Sequence, residues 1–383
     1  MPPRIFIVVV ICLVGLLHAY IGWRILPDLP LPAIYAVLGG FWLLLSFVLI
    51  PLGLLSRTIT MQPLSDRLAW AGMLAMGFFS SLLVLTILRD IALLLAEPLN
   101  LHRALRAFLT HDSALAVPLL AFAVSLIGFF NARRVAAVRR VDVPIVNLPL
   151  ALHGFTIAQI SDVHVGATIK RPYLEAIVDK VNHLQPDMIA VTGDLVDGSV
   201  ARLHTHTAPL ANLVARHGAY FVTGNHEYYS NAEEWVAEIK RLGIAVLANQ
   251  HVLLRHEHAT VLVAGVNDYG AHHFDAAQRS DPQAALKGSP SQIAVKILLA
   301  HQPRSAEAAA EAGFDLQLSG HTHGGQFFPW NFFVPMQQPF TAGLNRWHDM
   351  WVYTSRGTGY WGPPKRLWAP SEIALLRLVP AAQ

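Results

Sequence analysis

Long apolar runs are concentrated in the first third of the chain. Four of them contain almost no charged side chain: residues 5–23, 33–55, 68–88 and 114–130. A helix needs about 20 apolar residues to cross the roughly 30 Å hydrocarbon core of a bilayer. The pattern therefore predicts an all-α transmembrane region of about four helices within residues 1–132.

Two other interpretations of these runs stay open. The first run could be a cleaved signal peptide, although no clear small-residue cleavage site follows it. All four could be buried helices of a water-soluble core, although charge-free runs of this length are rare there. A further stretch, residues 91–109, follows Arg89 and Asp90 and predicts a helix on the membrane surface.

Short apolar runs separated by polar loops begin after residue 150. The strand-like runs are residues 155–160, 188–191, 220–222, 261–266, 297–299, 316–318, 351–353 and 373–378. Helical spacing occurs at residues 171–184, 208–216 and 232–242. Strands first alternate with helices and then dominate, which predicts a layered α/β domain with two sheets over residues 151–383. Residues 133–150 are predicted to be a linker, in which Val143, Ile145 and Val146 could begin a sheet.

Composition and charge refine this picture. Hydrophobic residues make up 54% of the chain and charged residues 14%, below the roughly 25% charged residues of an average soluble protein. The net charge is only +3, so no nucleic-acid partner is expected. Cys12 is the single cysteine, which excludes an intramolecular disulfide.

Arginines flank the predicted helices unequally. The side of a membrane protein that is richer in Lys and Arg faces the cytoplasm. One side carries Arg4, Arg57, Arg67, Arg133, Arg134, Arg139 and Arg140, and the other carries Arg24, Arg89, Arg103 and Arg106. We therefore expect a multi-pass protein of the inner (cytoplasmic) membrane, with the lipid bilayer as a partner and the globular domain in the cytoplasm.

Polar residues follow five of the strand-like runs. Sites in open α/β sheets form beyond the carboxyl ends of strands, so these residues are expected to converge. The candidate metal ligands are Asp162, His164, Asp194, Asn225, His301, His321 and His323. Carboxylates, an amide and imidazoles without cysteine suit borderline ions such as manganese, iron or zinc. The set exceeds what one tetrahedral ion needs, and two ions about 3.5–4 Å apart account for it.

The candidate ligands belong to short motifs in a fixed order. The motifs are Asp162-Val163-His164, Gly193-Asp194-Leu195-Val196-Asp197, Gly224-Asn225-His226-Glu227, His301 and Gly320-His321-Thr322-His323. Later segments are Ser355-Arg356-Gly357-Thr358-Gly359 and Pro370-Ser371-Glu372-Ile373. Together they resemble the calcineurin-like metallophosphoesterase family, in its bacterial membrane-attached branch. The resemblance implies a four-layer αββα sandwich for the second half of the chain.

The resemblance also implies a role for each motif residue. One divalent ion is bound by Asp162, His164 and His323, the other is bound by Asn225, His301 and His321, and Asp194 bridges both. His226 is the catalytic residue, which protonates the leaving oxygen or stabilises the phosphate. Asp197 is expected to orient a ligand or the backbone, and Glu227 has no assigned role.

The expected function is that of a membrane-anchored phosphohydrolase with two divalent metal ions, cleaving a phosphodiester or a pyrophosphate by metal-activated hydroxide. The alternatives are a catalytically weak metal-binding scaffold or membrane partner protein, and a phosphomonoesterase or protein phosphatase. Residues 327–333 form an aromatic run after the last motif. Core packing is one interpretation of this run; an aromatic lip that holds an acyl chain is the other, and it suggests a lipid-linked substrate.

Overall fold

A computed structural model describes residues 4–99 and 102–381 and divides the chain into two compact units. One unit runs through Phe130 and includes Gly362–Lys365, and the other contains the remainder from Asn131 onward. This boundary is close to the one expected at residue 132. Part of the expected linker, Ala137–Ile145, forms a strand. The division into domains, with residues 133–150 as a linker, stays a prediction.

The first unit is built of long apolar helices. They are α1 (Arg4–Ile25), α2 (Ala33–Leu55), α3 (Leu64–Ala96) and, after the short α4 (Arg103–Ala107), α5 (Ser113–Arg133). Four helical stretches are long and apolar enough to cross a membrane. Large apolar side chains such as Leu16 and Phe41 are exposed on them. The predicted region of about four helices is confirmed.

The predicted surface helix at residues 91–109 is wrong. Residues 91–96 continue α3, and α4 is a separate short helix at Arg103–Ala107. The break comes just before Pro98, which has no backbone N–H to donate to the Leu94 carbonyl and so cannot continue the helix. Length and polarity alone do not reveal this division.

The α2 and α3 helices touch through their backbones at Gly53 and Gly72. A Cβ atom on Gly72 would lie 2.5 Å from both the Leu49 carbonyl oxygen and Gly53 Cα. Small residues permit this kind of close helix packing in membranes, where burial of apolar surface gives little driving force. The contact therefore depends on glycine at both positions.

Twelve strands of the described chain form two six-stranded sheets in the second unit. The first sheet contains β1 (Ala137–Ile145), β2 (Thr156–Ile160), β3 (Met188–Val191), β4 (Ala219–Phe221), β5 (Ala245–Val246) and β12 (Glu372–Pro380). The second contains β6 (Gln250–His256), β7 (Ala259–Gly265), β8 (Val295–Leu299), β9 (Leu316–Ser319), β10 (Gly343–Trp347) and β11 (Met350–Thr354). Their spatial orders are β1-β12-β2-β3-β4-β5 and β10-β11-β9-β8-β7-β6.

Apolar side chains of the two sheets pack face to face. Ile157 and Ala190 of the first sheet and Val263 and Ile297 of the second belong to one buried cluster. The helices of this unit are α6 (Arg171–His183), α7 (Val200–Thr207), α8 (Asn225–Tyr229), α9 (Ala232–Arg241), α10 (Pro282–Ala285) and α11 (Ala306–Glu311). Side chains of α6, α7 and α9 cover the first sheet, and side chains of α10 and α11 cover the second. These layers form the predicted αββα sandwich.

One predicted helix of this unit is misplaced. A helix is expected at residues 208–216, but the helix of this region, α7, lies earlier and ends at Thr207. A tight helical turn follows it at Ala208–Asn212. Pro209 accounts for the end of α7, because it has no backbone N–H to donate to the Thr205 carbonyl. The other two predicted helices correspond to α6 and α9.

Strand direction decides where the polar loops meet. Strands β2, β3 and β4 run parallel to one another, and so do β8 and β9. Each of these strands ends immediately before a loop that carries candidate donors. The carboxyl ends of neighbouring parallel strands share one edge of a sheet, so the donors from different parts of the chain come together there.

Candidate metal centre

The loops after β2 and β3 are held in register by backbone hydrogen bonds. The N–H of Asp162 donates to the Gly193 oxygen at 3.0 Å, and the N–H of His164 donates to the Asp194 oxygen at 3.1 Å. Asp162, His164 and Asp194 have φ angles of 53°, 55° and 51°. Positive φ is uncommon for residues with a side chain and tends to occur at functional sites, where the surroundings hold it in place.

One group of donors contains Asp162, His164 and His323. Their ligating atoms lie within 4.8 Å of one another, and all three residues are buried. His164 Nε2 lies 3.0 Å from His323 Nε2, which is itself 3.5 Å from Asp162 Oδ1. Two ring nitrogens that face each other beside a carboxylate form a suitable set of ligands for a cation.

A second group of donors contains Asp194, His301 and His321. The Nδ1 atom of His301 lies 2.7 Å from the Thr192 carbonyl oxygen. Nδ1 therefore carries the proton in the neutral ring, which leaves Nε2 as an electron-pair donor. That Nε2 atom is 3.2 Å from Asp194 Oδ2. The carbonyl of Thr192 thus orients His301 toward the shared carboxylate.

Asn225 offers an amide oxygen beside this second group. Its neighbour His226 donates a backbone N–H to Asp194 Oδ1 at 2.9 Å. Within the described chain, the Oδ1 atom of Asn225 is buried and has no hydrogen-bond partner. A buried polar atom without a partner costs about 1–3 kcal/mol. A bound cation would satisfy this oxygen.

Asp194 lies between the two groups. Its Oδ2 atom is 4.0 Å from His164 Nε2 and 3.2 Å from His301 Nε2. Burial opposes ionisation of this carboxyl, but the positive charge on His301 and His226 outweighs burial and holds the pKa of Asp194 well below its usual range. Asp194 is therefore ionised, which is the form of a carboxyl that binds cations.

The histidine doublet of the Gly-His-Thr-His motif is divided between the groups. His321 belongs with Asp194 and His301, whereas His323 belongs with Asp162 and His164. All donors are nitrogen or oxygen atoms, a set that suits manganese, iron or zinc. The residues fit a pair of divalent cations that share Asp194. The assignment of each ligand stays a prediction.

His226 lies at the edge of the donor groups. Its Nδ1 atom is 2.5 Å from Asp197 Oδ1, its Nε2 atom is 3.9 Å from Asp194 Oδ2, and its side chain is 16% exposed. Burial disfavours the charged ring, but the carboxylates of Asp194 and Asp197 outweigh burial and raise the pKa of His226 to about 9. The ring is therefore cationic at neutral pH and keeps access to solvent.

Asp197 orients two imidazoles at once. The same Oδ1 atom that contacts His226 lies 3.1 Å from His164 Nδ1. A carboxylate that accepts the Nδ1–H of a histidine fixes the ring and leaves Nε2 as the ligating atom. Burial opposes ionisation of Asp197, but charge on His164 outweighs it and lowers the pKa of the carboxyl. The orienting role predicted for Asp197 is consistent with these contacts.

Glu227 joins the loops after β3 and β4. Its buried carboxylate accepts the backbone N–H groups of Asp194 at 3.0 Å, Leu195 at 2.8 Å and Gly224 at 2.6 Å. The sequence assigned no role to this residue. Only the fold brings these three amides together, although a carboxylate directly after the Gly-Asn-His motif was a visible hint.

Two glycines allow the loops to approach. A Cβ atom on Gly224 would lie 2.2 Å from Asp194 Oδ1, and one on Gly320 would lie 2.1 Å from Asp162 Oδ2. Both distances are far below van der Waals contact. Glycine is therefore required at these positions because carboxylates occupy the space that a side chain would need.

Arg366 is a fully buried cation beside His323 that no motif of the sequence indicated. Its Nη2 atom is 3.0 Å from His323 Nδ1, and its other nitrogens donate to the carbonyls of Gly359 and Ala369. Burial lowers the pKa of Arg366 to about 10, so it stays charged at neutral pH. A guanidinium only donates, so His323 Nδ1 accepts. Burial and the charges on His164 and Arg366 hold the pKa of His323 well below its usual range, so the ring is neutral, as a metal-binding histidine must be.

Aromatic rings border the solvent side of His226. The ring centroids of Tyr229 and Trp361 lie 5.2 Å and 5.9 Å from that of His226, and Phe274 lies 5.7 Å from Tyr229. All three rings are more than half exposed. The aromatic run at residues 327–333 is split, since Phe327 is buried whereas Trp330, Phe332 and Phe333 are exposed.

Similarity to known proteins agrees with this geometry. The family model described as "Calcineurin-like phosphoesterase" matches residues 155–325. An uncharacterized metallophosphoesterase of Campylobacter jejuni is 31% identical over 386 residues, which cover 98% of this chain and 98% of the relative. A "Transmembrane protein with metallophosphoesterase domain" from Bos taurus is 40% identical over 67% of this chain.

Coverage of the relatives is uneven. The chain spans about three fifths of the length of the Bos taurus relative and of a Danio rerio relative with the same description, at 60% and 59%. Among solved structures, a dimetal phosphatase from Danio rerio is similar with a TM-score of 0.35 and 14% identity, over 54% of this chain and 88% of that chain.

Proposed function

Because the chain belongs to the calcineurin-like phosphoesterase family, we propose that it is a membrane-anchored phosphohydrolase with two metal ions. The reaction class that we favour is hydrolysis of a phosphodiester or a pyrophosphate. The observation that carries this proposal is the position of Asp194, which clusters with His301 and His321 and whose Oδ2 atom lies 4.0 Å from Nε2 of His164 in the other donor group. Two ions held by one carboxylate are typical of enzymes that transfer phosphoryl groups.

The proposed ligands divide between two ions. One set is Asp162, His164 and His323, the other is Asn225, His301 and His321, and Asp194 belongs to both. Divalent ions such as manganese, iron or zinc, when bound there, polarise phosphoryl oxygens and lower the pKa of coordinated water. The facing nitrogens of His164 and His323 and the buried oxygen of Asn225 support this division.

We propose His226 as the proton donor to the leaving oxygen. Its Nδ1 atom is engaged by Asp197, which leaves the Nε2–H directed toward the region of Asp194. A positioned imidazole of this kind typically contributes about 10²–10⁴-fold to the rate of a reaction that needs proton transfer. Asp197 is the positioning residue that keeps the ring in this orientation.

A direct assay tests the proposed reaction. Full-length protein purified in detergent should contain about two divalent ions per chain and should hydrolyse an aryl phosphodiester in the presence of manganese. Asp194→Asn should lose both metal and activity, whereas Asp179→Asn, at an exposed position on α6, should retain both. Protein that binds two ions but hydrolyses no phosphoester would instead be a metal-binding scaffold.

The leaving group is, in this proposal, linked to a lipid. The exposed rings of Tyr229, Trp361 and Phe274 give an apolar surface next to His226. Aromatic side chains suit ligands that are apolar at one end and polar at the other. A domain attached to spanning helices meets such substrates at the bilayer surface, and the rings would hold the apolar end.

A comparison of substrates tests the lipid link. Trp361→Ala should lower kcat/KM for a lipid-linked phosphodiester about tenfold, the equivalent of about 1.4 kcal/mol of lost apolar contact. The same variant should hydrolyse a water-soluble methyl analogue at an unchanged rate. Trp368→Ala, which removes another exposed ring, is the control. Equal loss on both substrates would contradict the lipid link and leave the hydrolase proposal intact.

We also propose that this domain faces the cytoplasm from the inner membrane. The excess of arginines on the side of Arg133 and Arg134 supports this orientation. A reporter fused to the carboxyl terminus that is active only in the cytoplasm should give a signal. Activity of a reporter that works only outside the membrane would reverse the orientation.

A further inference from the structure

Charged side chains cluster where α1 and α3 end and α5 begins. Arg89 is buried and fully engaged: it donates to Asp28 at 2.6 Å, to Ser113 at 2.8 Å and to the carbonyls of Arg24 and Thr110 at 2.9 Å and 2.7 Å. It therefore ties α3 to the end of α1 and the start of α5. Asp28 balances its charge.

A second ion pair lies beside Arg89. Arg24 Nε donates to Asp90 Oδ2 at 2.8 Å, and the Tyr20 hydroxyl donates to the same oxygen at 2.6 Å. The other carboxylate oxygen, Asp90 Oδ1, is buried, has no hydrogen-bond partner in the described ranges and lies 3.7 Å from Arg89 Nη1. The terminal nitrogens of Arg24 also make no hydrogen bond with described residues. Arg24 therefore retains donors for a further polar ligand.

These groups border a cavity of about 610 Å³. Its charged walls are Arg24, Asp90, Glu97 and Arg106, and Leu93 and Leu94 of α3 are among its apolar walls. Ligand sites in proteins commonly have volumes of about 300–1,000 Å³. Leu94 is 68% exposed, so the apolar wall continues onto the outer surface of the helices.

Two of the four charged side chains that line this cavity form no ion pair with described residues. Arg24 is paired with Asp90, but Glu97 and Arg106 form no ion pair with any residue that the structure describes. The cavity thus presents one unpaired anion and one unpaired cation. Separated charges of opposite sign complement a zwitterion better than a purely anionic or cationic ligand.

We propose that this cavity binds the headgroup of a zwitterionic phospholipid with a primary amine, of the phosphoethanolamine class. The phosphate contacts Arg106 and the terminal nitrogens of Arg24, as charge-assisted hydrogen bonds favour. The ammonium donates to Glu97, which the cavity exposes. The acyl chains follow Leu93 and Leu94 onto the apolar helix surface.

Two other headgroups fit less well. A choline headgroup has no N–H to donate to Glu97, so it cannot form this charge-assisted hydrogen bond. A glycerol headgroup has no positive charge to balance Glu97. The site is therefore expected to discriminate by the amine, and its function is independent of phosphoester hydrolysis in the second unit.

Thermal unfolding of the full-length protein in detergent tests this proposal. Phosphatidylethanolamine should raise the unfolding temperature more than phosphatidylcholine or phosphatidylglycerol with the same acyl chains. Glu97→Gln and Arg106→Gln should each weaken phosphatidylethanolamine binding about tenfold, as expected for loss of one charge-assisted contact. Arg103→Gln, on the same short helix but outside the cavity, should bind like the unchanged protein.

Three results would overturn the proposal. One is equal stabilisation by the ethanolamine and choline lipids. Another is an equal effect of the Arg103 and Arg106 changes, which would indicate general attraction to a charged surface. The third is binding of soluble phosphoethanolamine as tight as binding of the lipid, because the acyl chains would then contribute nothing. Glu97 and Arg106 are exposed, so their replacement leaves the helix packing unchanged.

Discussion

At the scale of single residues, buried polar groups fix the orientation of the imidazole rings in the candidate centre. Asp197 accepts from two imidazoles, the Thr192 carbonyl fixes His301, and Arg366 fixes His323. Each contact determines which ring nitrogen faces the donor groups. In a low-dielectric interior such contacts are strong when satisfied and costly when one partner is lost.

His226 is expected to affect turnover without affecting metal content. Its replacement by alanine should lower kcat about 10²–10⁴-fold for substrates with poor leaving groups, because they depend on proton donation. Substrates with a good leaving group, such as a nitrophenolate, should lose less. Metal analysis of the same preparations should give unchanged content. His183→Ala, at an exposed position on α6, is the control, and full turnover of the His226 variant would remove its assigned role.

Glu227 is expected to affect folding more than chemistry. Glu227→Gln replaces one accepting oxygen by an NH₂ that faces the N–H of Leu195, or those of Asp194 and Gly224, so it should lower the free energy of unfolding by about 1–3 kcal/mol. The change should appear as a lower unfolding temperature in metal-free protein. Glu233→Gln, at an exposed position on α9, should have no measurable effect. Equal stability of the two variants would show that the carboxylate does not join the loops.

At the scale of elements, the ends of helices and strands decide the arrangement. Pro98 and Pro209 follow closely on the ends of α3 and α7. Strands β2, β3, β4, β8 and β9 end beside their donor loops. The packing of α2 on α3 depends instead on a point within each helix, where Gly53 meets Gly72.

Gly72→Ala should disrupt the contact between α2 and α3. The added Cβ would lie 2.5 Å from the Leu49 oxygen, and overpacking of this kind costs about 1–3 kcal/mol. We expect a lower unfolding temperature of the full-length protein in detergent. Gly40→Ala on α2 is the matched control, because its Cβ would meet only Leu26 Cδ1 at 3.8 Å. Similar behaviour of the two variants would argue against close backbone packing.

At the scale of the whole molecule, the candidate centre joins loops from both sheets. Asp162, Asp194 and Asn225 follow strands of the first sheet, whereas His301, His321 and His323 follow strands of the second. Cations bound by all of these loops would link the two sheets at one edge. They would also neutralise the carboxylates of Asp162 and Asp194 at that edge. Metal binding is thereby coupled to the stability of the sandwich.

Removal of metal should therefore lower the unfolding temperature. A ligand present at 100 times its Kd stabilises the folded state by about 2.7 kcal/mol, which corresponds to roughly 5–10 °C for a domain of this size. Chelator should produce this decrease in the unchanged protein, and added manganese should reverse it. Asp194→Asn should unfold at the same temperature with or without chelator. A chelator effect of equal size in that variant would place the stabilising ion elsewhere.

The sequence by itself determined the classes of element and the identity of the candidate donors. Four apolar runs specified spanning helices because the bilayer sets a minimum length for them. Alternating short runs specified strands, and the Asp, Asn and His residues after five of them marked one edge of the sandwich. These properties are local: each depends on residues that are close together in the chain.

The tertiary structure alone decided how these parts meet. The sequence did not indicate that Glu227 caps three amides, that Arg366 holds His323, or that Arg24, Asp90 and Arg106 border one cavity. It also could not divide His321 and His323 between the two donor groups except through a family resemblance. Such relations join residues that are distant in sequence, and they depend on strand order and side-chain direction, which no local pattern encodes.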